Sequence, residues 1–252
     1  MAEITRPKPY FQPAEDIVLN AASGNQVIMF GENHIYHPKN FIASVLPRLR
    51  EMGFDALVTE LEASYQRDMD EYLKTGRISG GLREYLRYWD NSDLAHAARE
   101  NAFEVKTIGK NHDRKSTLAR TDYTSFGRLM RAILGLKGRK SVLLYGDNHI
   151  QKNRHYYQSL GDYLNSLTGG RAFGICTDPI RFTEIALALG TEIPENQGFV
   201  VTDEMKPVQF GNPYSPKSLG IFDAVVNVID PEKDAAFKNT GIYRSLVGNF
   251  DF

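Results

Sequence analysis

Cysteine is almost absent: Cys176 is the only one in 252 residues. No intramolecular disulfide can form, and the usage suits a reducing compartment. Long apolar runs are missing too, since no stretch approaches the roughly 18–20 consecutive residues of a membrane span. The first ten residues, MAEITRPKPY, lack the apolar centre of a secretory signal,. The expectation is therefore a cytoplasmic protein, with signal-independent export left open. Charge of one sign is also lacking. Thirty basic and 31 acidic residues leave a formal charge of −1, which removes the electrostatic case for nucleic acid or an anionic membrane as partner. Several chemical signatures are missing as well. There is no Gly-x-Ser-x-Gly elbow, no His-Glu-x-x-His helix and no glycine loop that would cradle phosphate, so serine hydrolase, zincin and nucleotide-binding readings are disfavoured.

What remains is the composition of an ordinary folded chain, 42% hydrophobic and 24% charged. A chain of this length buries roughly 70–75% of its unfolded surface and needs no staple. Residues 1–15, with Pro7, Pro9 and Pro13, read as an extended arm, and no composition break divides residues 16–252,. Apolar runs predict strands at 26–30 (QVIMF), 54–59 (FDALVT), 105–108 (VKTI), 141–145 (SVLLY), 172–176 (AFGIC), 199–202 (FVVT) and 222–229 (FDAVVNVI). Several are continuous, as expected of strands covered on both faces. Helical spacing predicts helices over 40–52, 62–74, 81–89, 92–99, 122–135 and 153–167, with Pro47 a kink. Residues 192–218 read as loops around one strand. The alternation predicts a single α/β domain with a central mixed, largely parallel sheet flanked by helices.

One pattern recurs. Residues 26–35 (QVIMFGENHI) align with 141–150 (SVLLYGDNHI), and 105–112 (VKTIGKNH) form a looser third copy. Each is a strand followed by Gly-x-Asn-His, so the fold is expected to contain two related halves that begin strand–GxNH–helix. The glycine permits a sharp turn, and the asparagine can hold the loop by bonding nearby backbone. The histidine then falls at a strand's C-terminal end, where open α/β sheets place their ligand crevices. If the strands are parallel neighbours, His34, His112 and His149 converge. A single such tetrapeptide is ordinarily a turn with a polar tip. A turn, however, has no need of histidine each time.

Glu32 and Asp147 fill the same slot in the two closest copies. They can act as general base, metal ligand or partner of a histidine, or can simply favour the following helix N-terminus. Glu60 ends the run FDALVTE and is a further candidate, ahead of Glu62. Asp178 is a weaker one. His37 shares the neighbourhood of His34, whereas His96 and His155 read as surface or packing residues. Cys176 reads as buried and inert. Tyr65, Arg67, Arg83, Arg87 and Trp89 are candidates for a substrate-lining loop, which fits a polar or aromatic ligand.

These residues resemble a known superfamily. Paired Gly-x-x-His motifs, Gly31-Glu32-Asn33-His34 and Gly146-Asp147-Asn148-His149, with Glu60 after the second strand, are similar to the group of TIKI/TraB proteins, ChaN-like haem-binding proteins and erythromycin esterases. The intervening Tyr72-Leu73-Lys74-Thr75-Gly76, Trp89-Asp90-Asn91, Arg99-Glu100-Asn101 and Ile108-Gly109 resemble the esterase branch. Phe222-Asp223-Ala224-Val225-Val226 resembles the last strand of the group. The spacing of Glu32 and His34 matches the TIKI and ChaN branches instead, and Lys110 stands near where the esterases carry an aspartate.

The resemblance implies a hydrolase of an ester or amide (peptide) bond. In its metal form, His34, His149 and Glu60 hold a divalent ion (Zn, Mn or Co) whose bound water approaches a pKa of ~7, and His112, to which the resemblance gives no role, is a further candidate ligand. Glu32 or Asp147 then takes the proton. In its metal-free form the same residues act as acid–base pairs. The alternatives are a non-catalytic binder of haem or another small ligand, of ChaN-like type, and a toxin or effector module. The expected partner is a small-molecule or peptide substrate.

Overall fold

The computed structural model describes residues 6–32, 38–88, 91–109, 139–152, 159–211 and 216–228. In chain order these form β1 (Gln12–Pro13), α1 (Ala14–Gly24), β2 (Val27–Glu32), α2 (Pro38–Glu51) and β3 (Phe54–Glu62). A single 3-10 turn leads into α3 (Gln66–Thr75), α4 (Gly80–Tyr88) and α5 (Ser92–Glu100), followed by β4 (Glu104–Gly109). Next come β5 (Lys140–Gly146), α6 (Asp147–Ile150), α7 (Leu160–Leu167), β6 (Ala172–Cys176), α8 (Pro179–Leu189) and β7 (Gln197–Val200). The last described elements are β8 (Gln209–Phe210), β9 (Lys217–Ser218) and β10 (Ala224–Asn227).

Eight strands make one sheet in the order β1-β7-β10-β6-β2-β5-β3-β4. The six strands from β10 to β4 pair in parallel, while at one end β7 runs antiparallel to β10 and β1 antiparallel to β7. The mixed, largely parallel α/β sheet expected from the sequence is therefore the observed architecture. Its strands are continuous apolar runs because both faces are covered. On one face Ile28, Phe30, Val142 and Leu144 pack with Ile17, Leu46, Leu49 and Leu94 from α1, α2 and α5. On the other, Val27, Met29, Leu143 and Tyr145 pack with Leu160, Leu164, Phe182 and Ile185 from α7 and α8.

The two closest repeat copies are β2 and β5, adjacent at the centre of the sheet. Their pairing is offset by one residue from their alignment: Val27 lies opposite Ser141, Phe30 opposite Leu144 and Glu32 opposite Gly146. Side chains alternate faces along a strand, so a one-residue offset sends equivalent positions to opposite sides. Phe30 accordingly joins one core and its counterpart Tyr145 the other.

Some elements depart from the sequence reading. Two helices were not expected, α1 and α8. The expected arm turns into helix at Ala14, after Pro13. The expected helix over 153–167 is observed from Leu160, where Ser159 and Asp162 form a reciprocal capping box,. Residues 153–158 and the expected helix over 122–135 lie outside the described residues. The 192–218 region holds β7 and also the short pair β8–β9.

Candidate functional site

Parallel pairing of β2, β5, β3 and β4 brings their C-terminal ends to one edge of the sheet. Glu32 ends β2, Glu60 lies near the end of β3, and Gly146 ends β5 and leads into α6, which carries Asp147 and His149. His34 and His112 lie outside the described residues, as does His37.

Glycine is required where these ends crowd together. A Cβ on Gly31 would lie 2.7 Å from Cδ1 of Ile150 and 3.0 Å from Cα of Asp147. The first repeat's glycine is thus the surface on which the second repeat's turn rests. A Cβ on Gly109 would lie 1.9 Å from the carbonyl oxygen of Glu60. Thr177, just past β6, donates to the Gly31 carbonyl through both its backbone N–H (3.0 Å) and its hydroxyl (2.7 Å).

The two equivalent acids part company. Glu32 is buried and its carboxylate lies 3.1 Å from Nζ of Lys39, in α2. Asp147 is also buried, but its Oδ2 accepts from Nε of Arg181 at 3.1 Å, in α8. They reach helices on opposite faces of the sheet, which follows from the offset. Arg181 also donates to Glu184 at 2.8 Å and lies 3.9 Å from Asp178. Burial opposes the charge on Arg181, yet Asp147 and Glu184 more than offset it and hold the guanidinium firmly protonated,. The pair fixes the orientation of the Asp147 side chain.

Glu60 uses Oε2 to accept the N–H of Gly146 at 2.9 Å. His149 is 6% exposed and stands edge-on to the ring of Tyr145, with centroids 5.0 Å apart. Beside it, Asn148 accepts from Nζ of Lys217 at 3.0 Å. At the end of β3, the Tyr85 hydroxyl accepts the N–H of Glu62 at 3.1 Å and its ring stacks on Tyr65 at 4.3 Å. Burial pushes the Tyr85 phenol up to about 12, so it stays protonated at neutral pH,. Cys176 is fully buried, and burial together with Asp178 and Asp147 pushes its thiol well above the ordinary range. That is the inert cysteine the sequence suggested.

Among the described residues no group of three or more histidine, cysteine or carboxylate side chains is placed to hold a metal ion. Of the four expected ligands only Glu60 and His149 are described, and Glu60 is engaged with backbone. The described donors do not by themselves fit a divalent cation. Sequence reasoning missed Lys39 and Arg181. Only the i,i+3 spacing of Asp178 and Arg181 could have hinted at either. Among the described residues no helix is long and apolar enough to cross a membrane.

No family model matches the chain, and no curated protein matches it. Solved structures do. The type III effector HopBA1 aligns with a TM-score of 0.53 and 14% identity over 91% of this chain and 100% of that one. A Bacillus cereus protein aligns with a TM-score of 0.54 and 12% identity over 89% and 95%. The Vibrio vulnificus MARTX toxin effector domain RRSP gives 0.48 and 20% over 56% of this chain, which spans about a third (31%) of that longer structure. The haem-binding ChaN of Campylobacter jejuni gives 0.46 and 11% over 67% and 90%. At these identities HopBA1 and the Bacillus cereus protein establish a shared fold and nothing finer.

Proposed function

We propose that the chain is a hydrolase of an ester or amide bond in a small molecule or peptide. The observation that supports this most is the gathering of Glu32, Glu60, Asp147 and His149 at the C-terminal ends of three neighbouring parallel strands, where α/β sheets put their ligands,. Kinship with the TIKI and erythromycin esterase branches belongs to the same proposal and rests on the two Gly-x-x-His motifs and Glu60.

The partners of the acids divide the roles. Asp147 is held by Arg181 and Glu32 by Lys39. Each carboxylate is oriented by its cation, so both serve as structural anchors around the reacting group,. His149 is the acid–base group of the reading. Its imidazole takes a proton from water as the water oxygen bonds to the carbonyl carbon. It then returns that proton to the departing alcohol or amine as the acyl bond breaks. Should His34 and His112 complete a metal set with His149, the ion would supply a more acidic water while Glu60 stays on the Gly146 N–H,.

A panel of activated esters and peptide anilides tests this, with and without a chelator. The wild type is expected to turn over at least one class. His149→Ala should lose about 10²–10⁴-fold while keeping its far-ultraviolet dichroism. Wild-type turnover in His149→Ala, or no turnover of any ester or amide, would sink the reading. Chelation that abolishes activity, restored by Zn, Mn or Co, selects the metal form. The full-length coverage of HopBA1 favours one second reading, an effector acting within a target cell. There the same variant separates a catalytic effector from a binding module.

A further inference from the structure

We infer that Glu60 is a positioning residue, whose carboxylate holds the turn that carries His149. The inference deepens the hydrolase reading and rests on it only for its activity arm. Four observations converge. First, β3 pairs with β5 in unbroken register from Ala56 opposite Ser141 to Thr59 opposite Leu144, and its register against β4 shifts between Thr59 and Glu62. Such irregularities re-aim a side chain that would otherwise follow the pleat. Second, the Glu60 peptide is pinned from β4, because Gly109 approaches its carbonyl closely enough to exclude any Cβ.

Third, the re-aimed carboxylate reaches across to β5 and accepts the N–H of Gly146 at 2.9 Å. Gly146 is the residue immediately before α6. A carboxylate accepting a backbone N–H there is a charge-assisted bond to the start of the turn. Fourth, the opposite side of the turn rests on Gly31, with Ile150 and Asp147 in contact distance of any side chain placed there. The turn is therefore clamped between Glu60 and Gly31, and His149 is its third residue. Glu60 acts on the imidazole through the backbone, without itself handling a proton.

Glu60→Gln and Glu60→Ala distinguish this from direct participation, because glutamine keeps an acceptor oxygen and loses only the charge. Two readouts apply to the intact chain: amide hydrogen exchange at Gly146, and the His149 imidazole resonances by NMR. In Glu60→Gln the Gly146 amide should stay protected, the His149 resonances should stay near wild type, and turnover should fall by no more than about threefold. In Glu60→Ala protection should drop by about tenfold or more, the resonances should move, and turnover should fall by about tenfold or more.

Glu60→Gln as inactive as Glu60→Ala, with Gly146 still protected, would overturn the inference. So would Glu60→Ala that retains wild-type protection and resonances. If the wild type hydrolyses nothing, the hydrolase reading fails, and exchange and resonances still decide the role of Glu60. Should Glu60→Ala not fold, Glu60→Gln alone remains decisive: lost protection at Gly146 in a folded variant overturns the inference, and retained protection supports it.

Discussion

Lys39 and Glu32 face each other at 3.1 Å with only 1% and 5% of their side chains exposed. Removing two charges from water costs several kcal/mol per ion, so such a pair is an anchor only while both members are present. Lys39→Met removes the cation that stands beside the buried Glu32 carboxylate. It is expected to destabilise the fold by about 3–5 kcal/mol, measured by urea unfolding. Glu32→Gln combined with Lys39→Met should recover most of that loss, since both charges are then gone. A double variant no more stable than Lys39→Met would show that the lysine acts through something other than this pair. The same pair marks what could be read at this scale. The Gly-x-Asn-His tetrapeptides are local in sequence, and glycine, acid and histidine each announce a role. Lys39 and Arg181 announce none, because a buried cation is defined by the anion that tertiary packing brings to it. The one-residue offset of β2 and β5 is equally hidden, and it is what sends Glu32 and Asp147 to different cations.

The outer strand β4 carries a device of a different kind. Gln66, the first residue of α3, donates from its side-chain amide to the carbonyl of Val105 at 2.8 Å and accepts the N–H of Thr107 at 2.8 Å. One amide thus occupies the place that a residue of a further parallel strand would take. Unpaired strand edges recruit other chains, and proteins blunt them. Gln66→Ala is expected to lose about 1–3 kcal/mol through the two groups left unpaired. It should also shift the mass distribution in light-scattering chromatography towards larger species. Gln66→Glu should do the same, since a carboxylate cannot donate to Val105. Distributions identical to wild type in both variants would rule this role out. At this scale the parallel strands were legible because buried strands are continuous apolar runs. The missed helices share a cause. Pro13 immediately precedes α1 and Pro179 opens α8, and α2 likewise begins at Pro38, two residues before the expected Asn40. Proline suits a helix start, since its missing N–H has no intrahelical acceptor there. Treated as a mark of extended chain, it hid α1.

Across the whole molecule the two edges of the sheet carry different kinds of polar chemistry. At the C-terminal edge, acids and an imidazole gather on strand ends. At the opposite edge, Arg139 fastens the starts of three strands. Its Nε lies 2.8 and 2.9 Å from the two carboxylate oxygens of Asp55, and Nη1 lies 2.5 Å from Glu104. The groups are about a third exposed, so solvent screens the clasp, and Arg139→Ala is expected to cost only about 1–2 kcal/mol. It should leave the His149 resonances unchanged, whereas His149→Ala should lose function and keep stability. The clasp also carries a pH signature. Lys106, bonded to the Glu104 carboxylate, and then Arg139 hold that carboxyl below the ordinary glutamate range despite partial burial. A carboxyl lowered on folding stabilises the native state above its unfolded pKa and loses that contribution as pH falls through its folded value. The stability gap between wild type and Glu104→Gln should therefore be full at neutral pH, at roughly 0.2–1 kcal/mol for so exposed a group. It should close as pH falls below the usual glutamate range. Urea unfolding at neutral and at acid pH measures this. A gap that is constant or widens on acidification would mean that the Glu104 charge does not hold this edge together.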